Sequence, residues 1–461
     1  MSVPDRPVRV RMAPSPTGNV HVGSARTALF NLLFARHHAG VFVLRLDDTD
    51  LDRNRPDFEA AIYEGFRWLG LDWDEGPDLG GPSGPYRQSE RLDLYRQHAV
   101  RLLDAGAAYR CYCTVEELEA ERRQAEAERR PPVYSRRCLH DPPRGRQVFT
   151  IRFKVPGGHV RFHDAVRGDM DFDADLIGDF VIVKSDGYPT YNFASPIDDA
   201  LMHISDVIRA EEHLPNTPAQ VLLTQALGYE TPRYAHLPLI LAPDRSKLSK
   251  RKDPVMLTQF RDWGYLPEAL VNYLSLLGWN PGTEQEIFSL EELVQSFSLA
   301  RVQKSGAVFD LQKLDSMNGH YIRSLPAGEL ARRLEPFLQE LDRETIRSAA
   351  PALQERLQRL DQARDLLMYL WLRDLPDPEL APDEVERIRS AVAELDRVEW
   401  EPAAIEAALE RVREAHGFSR NQLFKPLRLA VTGKAVSPPI HYTLALLPKE
   451  RALERLERAL A

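Results

Sequence analysis

Residues 8–26 read VRVRMAPSPTGNVHVGSAR. Val8, Val10 and Met12 alternate with arginines, the two-residue period of a short strand. A loop bent by Pro14, Pro16 and Gly18 follows, and beyond it a helix is predicted. Strand, loop and helix in that order outline a phosphate site, because backbone N–H groups and the positive end of the helix face whatever binds there. The glycine run and the lysine of a P-loop are both missing. His21 can instead donate a ring N–H to a phosphate oxygen, and Gly23 lets a nucleotide approach the backbone. An ordinary strand–helix turn with a surface histidine competes with this reading, and the loop by itself does not separate them.

Outward from the loop, the first 250 residues alternate strands and helices. SARTALFNLLFARHHAG places Ala25, Leu29, Leu32 and Leu33 on one helical face, with Gly40 as the stop. VFVLRLD has the composition of a strand buried in a parallel sheet. DFVIVKSDGYPTYNFA is expected to form two strands around a Ser-Asp-Gly turn. NTPAQVLLTQALG is expected to be a helix with Thr217 as N-cap, Pro218 at the first helical position and Gly228 past the end. This order predicts an α/β body, a doubly wound sheet interrupted by a second domain.

Beyond about residue 251 the chain reads as helices almost without strands. PEALVNYLSLLGW is apolar at helical spacing, and PALQERLQRLDQARDLLMYLWL and ERALERLERALA read as amphipathic, arginine-rich helices. Pro376, Pro378 and Pro382 mark a joint between subdomains. There is no internal repeat.

Composition narrows the function without assigning one. The 461 residues suffice for two or more domains, and 43% hydrophobic with 28% charged residues is ordinary for a globular protein. No apolar run has the length of a membrane span, and the N-terminus shows no apolar export segment, so no membrane partner is expected. Three cysteines argue against a disulfide framework and for the cytoplasm. A net charge of −9 gives no general attraction to nucleic acid, so any RNA site must be a local basic surface.

Two further segments carry chemistry. RSKLSKRKD, residues 245–253, sets Lys247 and Lys250 around a serine, a cationic loop suited to a triphosphate, although alone it also fits a solvated basic turn. CYC (Cys111, Cys113) and CLH (Cys138, His140) each put two metal-ligand types at i and i+2, on one side of an extended segment. Between them TVEELEAERRQAEAERRPP opens with a Thr114/Glu117 capping box, a helix able to fold the two pairs together. Zinc with Cys₃His ligation, in a closed structural site, is the expectation.

HVGS after the first strand and KLSKR after the last α/β unit resemble the paired signature of class I aminoacyl-tRNA synthetases, which share a Rossmann-like catalytic fold. The blocks RMAPSPTGNVHVGSARTALFN, RLDDTD, DGYPTYNFA, DVIRAEEHL, NTPAQVLL, VNYLSLLGW and FDLQKLDSMNGHYI resemble, in order, bacterial glutamyl-tRNA synthetases. They cover the chain to about residue 325. The resemblance implies a Rossmann-like catalytic domain in two halves (1–110 and 186–250). It also implies an inserted α+β acceptor-binding domain carrying the zinc site (111–185), a helical stem-contact domain (251–325) and an all-helical anticodon-binding domain (326–461). It further implies ATP with Mg²⁺, L-glutamate and tRNA(Glu) as partners, and a monomer. His21, Gly23, Lys247 and Lys250 would hold ATP and stabilise the transition state; Arg11, Ser15, Asp47, Tyr191 and Arg209 would hold glutamate. Two arginines suit two carboxylates, and an anionic residue suits the ammonium. Three positions depart from the family: Ser24 replaces a histidine, Ser316 a tryptophan, and Asp47 a glutamate. A nucleotidyltransferase without RNA would share the two nucleotide loops but would not need the long helical tail. A catalytically dead RNA-binding paralogue would be expected to lose His21 or Lys250.

Overall fold

The computed structural model describes residues 6–50, 52–248, 255–372, 375–376 and 378–460. Strand β1 (Arg9–Met12) pairs in parallel with β2 (Val41–Leu44), Arg11 opposite Val43. The remaining strands are β3 (Ala108–Cys111), β4 (Thr150–Phe153), β5 (His159–Asp164), β6 (Gly168–Asp173), β7 (Val181–Val183), β8 (Asp206–Ala210), β9 (Arg233–Leu237), β10 (Ile240–Leu241) and β11 (Ala307–Val308). β3, β4 and β7 form an antiparallel sheet, and a four-stranded sheet runs β6-β5-β9-β8 with β8 and β9 parallel.

The chain separates into two compact units, residues 1–259 with 270–310 and residues 260–269 with 311–461. The segment 251–325 is thus divided between them. Residues 111–185 lie within the first unit, and their hairpin β5–β6 extends the sheet of β8 and β9, with Asp164 opposite Tyr234.

The helix Val22–His37 connects β1 to β2 and is buried without a gap from Ala25 to Ala35, not along one face only. It packs against β1, β2 and β8 as well as the helix Leu290–Ser296. The buried Asn31 amide donates to the Ile208 carbonyl at 3.1 Å, tying helix to strand and satisfying a group that would otherwise be costly to bury.

Three local expectations differ from the structure. After β7 only a single bridge, Val183 to Pro189, forms where a second strand was expected, and a helix runs from Tyr191 to Leu201. Proline has no N–H to continue a ladder. Thr217 is the first residue of the helix Thr217–Ala226 and Asn216 its cap, because the 3₁₀ turn Glu211–Asn216 already bends the chain. Gly228 does end that segment in a left-handed conformation, φ +73°. The helix expected from Pro351 onward is broken between Gln354 and Gln362, where the Gln362 side chain accepts the Gln358 and Arg359 N–H groups at 3.0 and 3.1 Å.

The second unit is helical throughout its described residues and has one apolar core, running from Leu266 to Leu456 in sequence and shared by both sides of the 376–382 joint. Arginines of its last helix, Lys449–Arg458, serve the fold. Arg451 donates to the Leu370 and Leu372 carbonyls, Arg455 to those of Val431, Tyr369 and Leu372, and Arg458 to that of Leu375.

Candidate active site

The described nucleotide and glutamate candidates line one cavity of about 920 Å³ in the first unit: His21, Gly23 and Lys247 with Arg11, Ser15, Asp47, Tyr191 and Arg209. Lys250 lies outside the described residues. No helix among the described residues is long and apolar enough to cross a membrane.

His21 is the N-cap of the helix Val22–His37, and its Nδ1 accepts the Gly23 N–H at 3.0 Å. An accepting Nδ1 places the ring proton of the neutral histidine on Nε2, the tautomer that donates to an anion. A Cβ on Gly23 would come within 3.2 Å of that Nδ1, so glycine here protects the cap. Lys247 ion-pairs with Glu212 at 2.8 Å, and this hydrogen bond holds the Glu212 carboxyl below its ordinary value.

The two arginines expected to hold glutamate differ in their electrostatics. Arg11, on β1, is paired with Asp199 at 3.0 Å. Asp199 also accepts from Arg45 at 2.7 Å, and despite complete burial the two guanidiniums hold it below the ordinary carboxylate range. Arg209, on β8, is 4% exposed. It donates to His236 Nε2 at 3.1 Å, Tyr191 Oη at 3.0 Å and Thr217 Oγ1 at 2.8 Å, so none of these hydrogen-bond partners is a carboxylate. A buried cation held by neutral groups attracts an anionic ligand, because these partners do not offset its charge. The Tyr191 hydroxyl meets His213 Nδ1 at 3.2 Å, and burial together with Arg209 pushes His213 down to about 4, leaving it a neutral acceptor.

Asp47 reaches the cavity wall, but both its oxygens accept from Arg45, at 2.8 and 3.4 Å. Burial pushes its carboxyl up to about 6 against the pull of Arg45. Arg45 itself is fully buried and also faces Asp198 at 3.8 Å, which Arg91 and Tyr95 bind from the far side. Asp47 thus belongs to a buried network of three arginines and three aspartates.

At the cysteine cluster, the sulfurs of Cys111, Cys113 and Cys138 lie within 4.8 Å of one another. His140 is not part of the group. Cys138 and His140 fall in one helical turn, Arg137–His140, where residues two apart point to different sides; the extended geometry that spacing suggested is not adopted. The Tyr134 hydroxyl stands there instead, 3.4 Å from both Cys111 and Cys113 sulfurs and accepting the Cys138 N–H at 3.1 Å. The capping box of Thr114 and Glu117 forms as expected, opening the helix Val115–Ala127. A ZnS tetrahedron with bonds of about 2.3 Å has edges of about 3.8 Å. The Cys113–Cys138 separation of 3.4 Å and the limit of 4.8 Å fit that size.

Residues 7–316 match the family model described as the catalytic domain of class I tRNA synthetases (E and Q), and residues 329–460 match an anticodon binding domain. The chain belongs to the class I tRNA synthetases of the E and Q type. It is 48% identical to a glutamate–tRNA ligase of Moorella thermoacetica over 98% of each chain. A relative of the same name from Symbiobacterium thermophilum is 45% identical, with 97% of this chain and 99% of that one covered. Among solved structures, a glutamate tRNA ligase from Elizabethkingia meningosepticum in complex with its amino acid superposes with a TM-score of 0.88 at 32% identity, over 99% of both chains.

In this synthetase the sequence reading passed over Arg45, Asp198, Asp199 and His236. The two aspartates carried a signal: in a helix starting at Tyr191, residues 198 and 199 fall seven and eight positions on, the same face as the tyrosine. His236 carried none, because only strand pairing brings it opposite Arg209.

Proposed function

We infer that this synthetase is a glutamate–tRNA ligase, which activates L-glutamate with ATP and transfers it to tRNA(Glu). The observation that carries the substrate side is Arg209, a buried guanidinium without a carboxylate partner among the described residues, in the same cavity as His21 and Lys247. A carboxylate of glutamate satisfies it. The substrate α-carboxylate, already a nucleophile, attacks the α-phosphorus; the bond to pyrophosphate breaks and glutamyl-adenylate forms. His21 Nε2–H, Lys247 and Lys250 donate to the phosphate oxygens on which charge builds, and Lys247 must leave Glu212 to do so. Mg²⁺ enters with ATP and supplies further charge neutralisation. The terminal ribose 2′-OH of the tRNA then attacks the acyl carbon and AMP departs.

The thiols of Cys111, Cys113 and Cys138 fit a structural zinc, with Tyr134 Oη as the nearest fourth donor and His140 as the competing one. Such a site braces the backbone and takes no part in the chemistry. Residues 326–461 read the anticodon by arginine contact and base stacking, as unpaired RNA loops are usually read, with the arginines of the helix Lys449–Arg458 excluded by their carbonyl bonds.

ATP–pyrophosphate exchange with glutamate, run with and without tRNA, tests the reading. Glutamate-dependent exchange and charging of tRNA(Glu) are expected. Exchange that needs no amino acid would point to a nucleotidyltransferase, and no exchange under either condition to a binding paralogue.

A further inference from the structure

We propose that His236 is a positioning residue for glutamate recognition: backed by Asp164, it orients the Arg209 guanidinium toward a substrate carboxylate without cancelling its charge. This rests on the reading of Arg209 as a carboxylate receptor.

His236 on β9 lies opposite Arg209 on β8, and its side chain is fully buried. The Arg209 Nε–H can only donate, so His236 Nε2, 3.1 Å away, must present its lone pair. The ring proton therefore sits on Nδ1 and is donated to Asp164 Oδ2 at 2.6 Å. Asp164 is held in turn by the N–H groups of Val166 at 2.9 Å, Arg167 at 2.8 Å and His236 at 3.2 Å. Those donors, with the His236 ring, keep the carboxyl below its ordinary value against burial, and burial keeps the imidazole itself below its ordinary value. The tautomer is thus fixed by the partners on both sides of the ring.

Interposing a neutral ring has a consequence for charge. Arg11 and Arg45 touch carboxylates directly, so their charge is offset within hydrogen-bond distance. Arg209 receives the same orientation from an acceptor without charge, and Asp164 remains a full ring-width behind it, occupied by its own donors. The bonds to His236, Tyr191 and Thr217 use three of the five guanidinium N–H groups, one on each nitrogen. One N–H on each terminal nitrogen is left for a ligand.

The test is glutamate-dependent pyrophosphate exchange by the full-length protein carrying His236→Asn or His236→Gln. Asparagine retains a donor toward Asp164 but withdraws the acceptor facing Arg209; glutamine carries its carbonyl to the position of Nε2. His236→Asn is expected to raise the KM for glutamate about tenfold or more, the scale of one lost bond to a charged group, with the KM for ATP within about twofold of wild type. His236→Gln is expected to stay within about threefold for both substrates. Equal glutamate KM values for the two variants, or a parallel rise of the ATP KM, overturns the proposal. If His236→Asn does not fold, His236→Ser, which likewise removes the acceptor facing Arg209, replaces it, and an unchanged glutamate KM in that variant overturns the proposal as well. Arg209→Met in the same assay separates the two levels: an unchanged glutamate KM there means the carboxylate reading fails, whereas a large rise there beside a silent His236→Asn means only the positioning role fails.

Discussion

Asp47→Asn separates recognition from stability. The Asp47 carboxyl is 6% exposed, and burial moves its pKa from 3.8 to about 6. A folded-state value above the unfolded one means the folded chain binds this proton more tightly. Stability is therefore lost as pH rises through the interval from 3.8 to about 6, and the whole cost is present above it. Two pKa units, each worth about 1.4 kcal/mol, put that cost near 3 kcal/mol. Asparagine cannot ionise, so Asp47→Asn is expected to exceed wild-type stability at pH 7.5 by up to about 3 kcal/mol. For a unit of this size that is a rise in melting temperature of about 5 °C. The difference should shrink as pH falls and vanish about one unit below 3.8, where the wild-type carboxyl is neutral in both the folded and unfolded states. In the same variant three guanidiniums, of Arg11, Arg45 and Arg91, face only two carboxylates, so the substrate ammonium loses an attractive charge. The KM for glutamate in pyrophosphate exchange should rise about tenfold or more at pH 7.5. Thermal unfolding of both proteins at several pH values, with exchange kinetics at pH 7.5, measures both effects. A variant that melts below wild type at pH 7.5, or that keeps the wild-type KM, refutes the reasoning.

Cys138→Ser should lose bound zinc by metal analysis of the purified protein, and tRNA charging should fall more than adenylate formation; Tyr134→Phe and His140→Ala, compared for zinc content, identify the fourth ligand. Lys250→Ala should lower kcat for activation by about 10² or more while a filter-binding assay shows near-normal tRNA affinity, as expected on removing a transition-state cation. Arg455→Met should destabilise the second unit by about 2–4 kcal/mol in calorimetry, because the buried Val431 and Tyr369 carbonyls lose their donor while that of Leu372 keeps only Arg451. Gly23→Ala, which crowds His21 Nδ1, should raise the KM for ATP and leave that for glutamate close to wild type.

The helix start that carries His21 and Gly23 was legible because its groups are local. His21 and Gly23 are two residues apart, and that spacing builds the cap in which the His21 ring accepts the Gly23 N–H. The capping box before the helix Val115–Ala127 was equally local. Spacing did not foresee the geometry around His140, since i and i+2 share a side only in an extended segment and the chain turns helically there. It misled at Thr217, whose hydroxyl accepts from Arg209 where a cap was expected. The glutamate half depends on separations the sequence cannot display. Arg11 meets Asp199 across 188 residues, Arg45 meets it across 154, and Arg209 meets His236 across 27. Which arginine keeps its charge for a ligand is decided by whether folding sets a carboxylate or a neutral ring beside it. That is a property of strand register and helix packing, and residue type alone does not contain it.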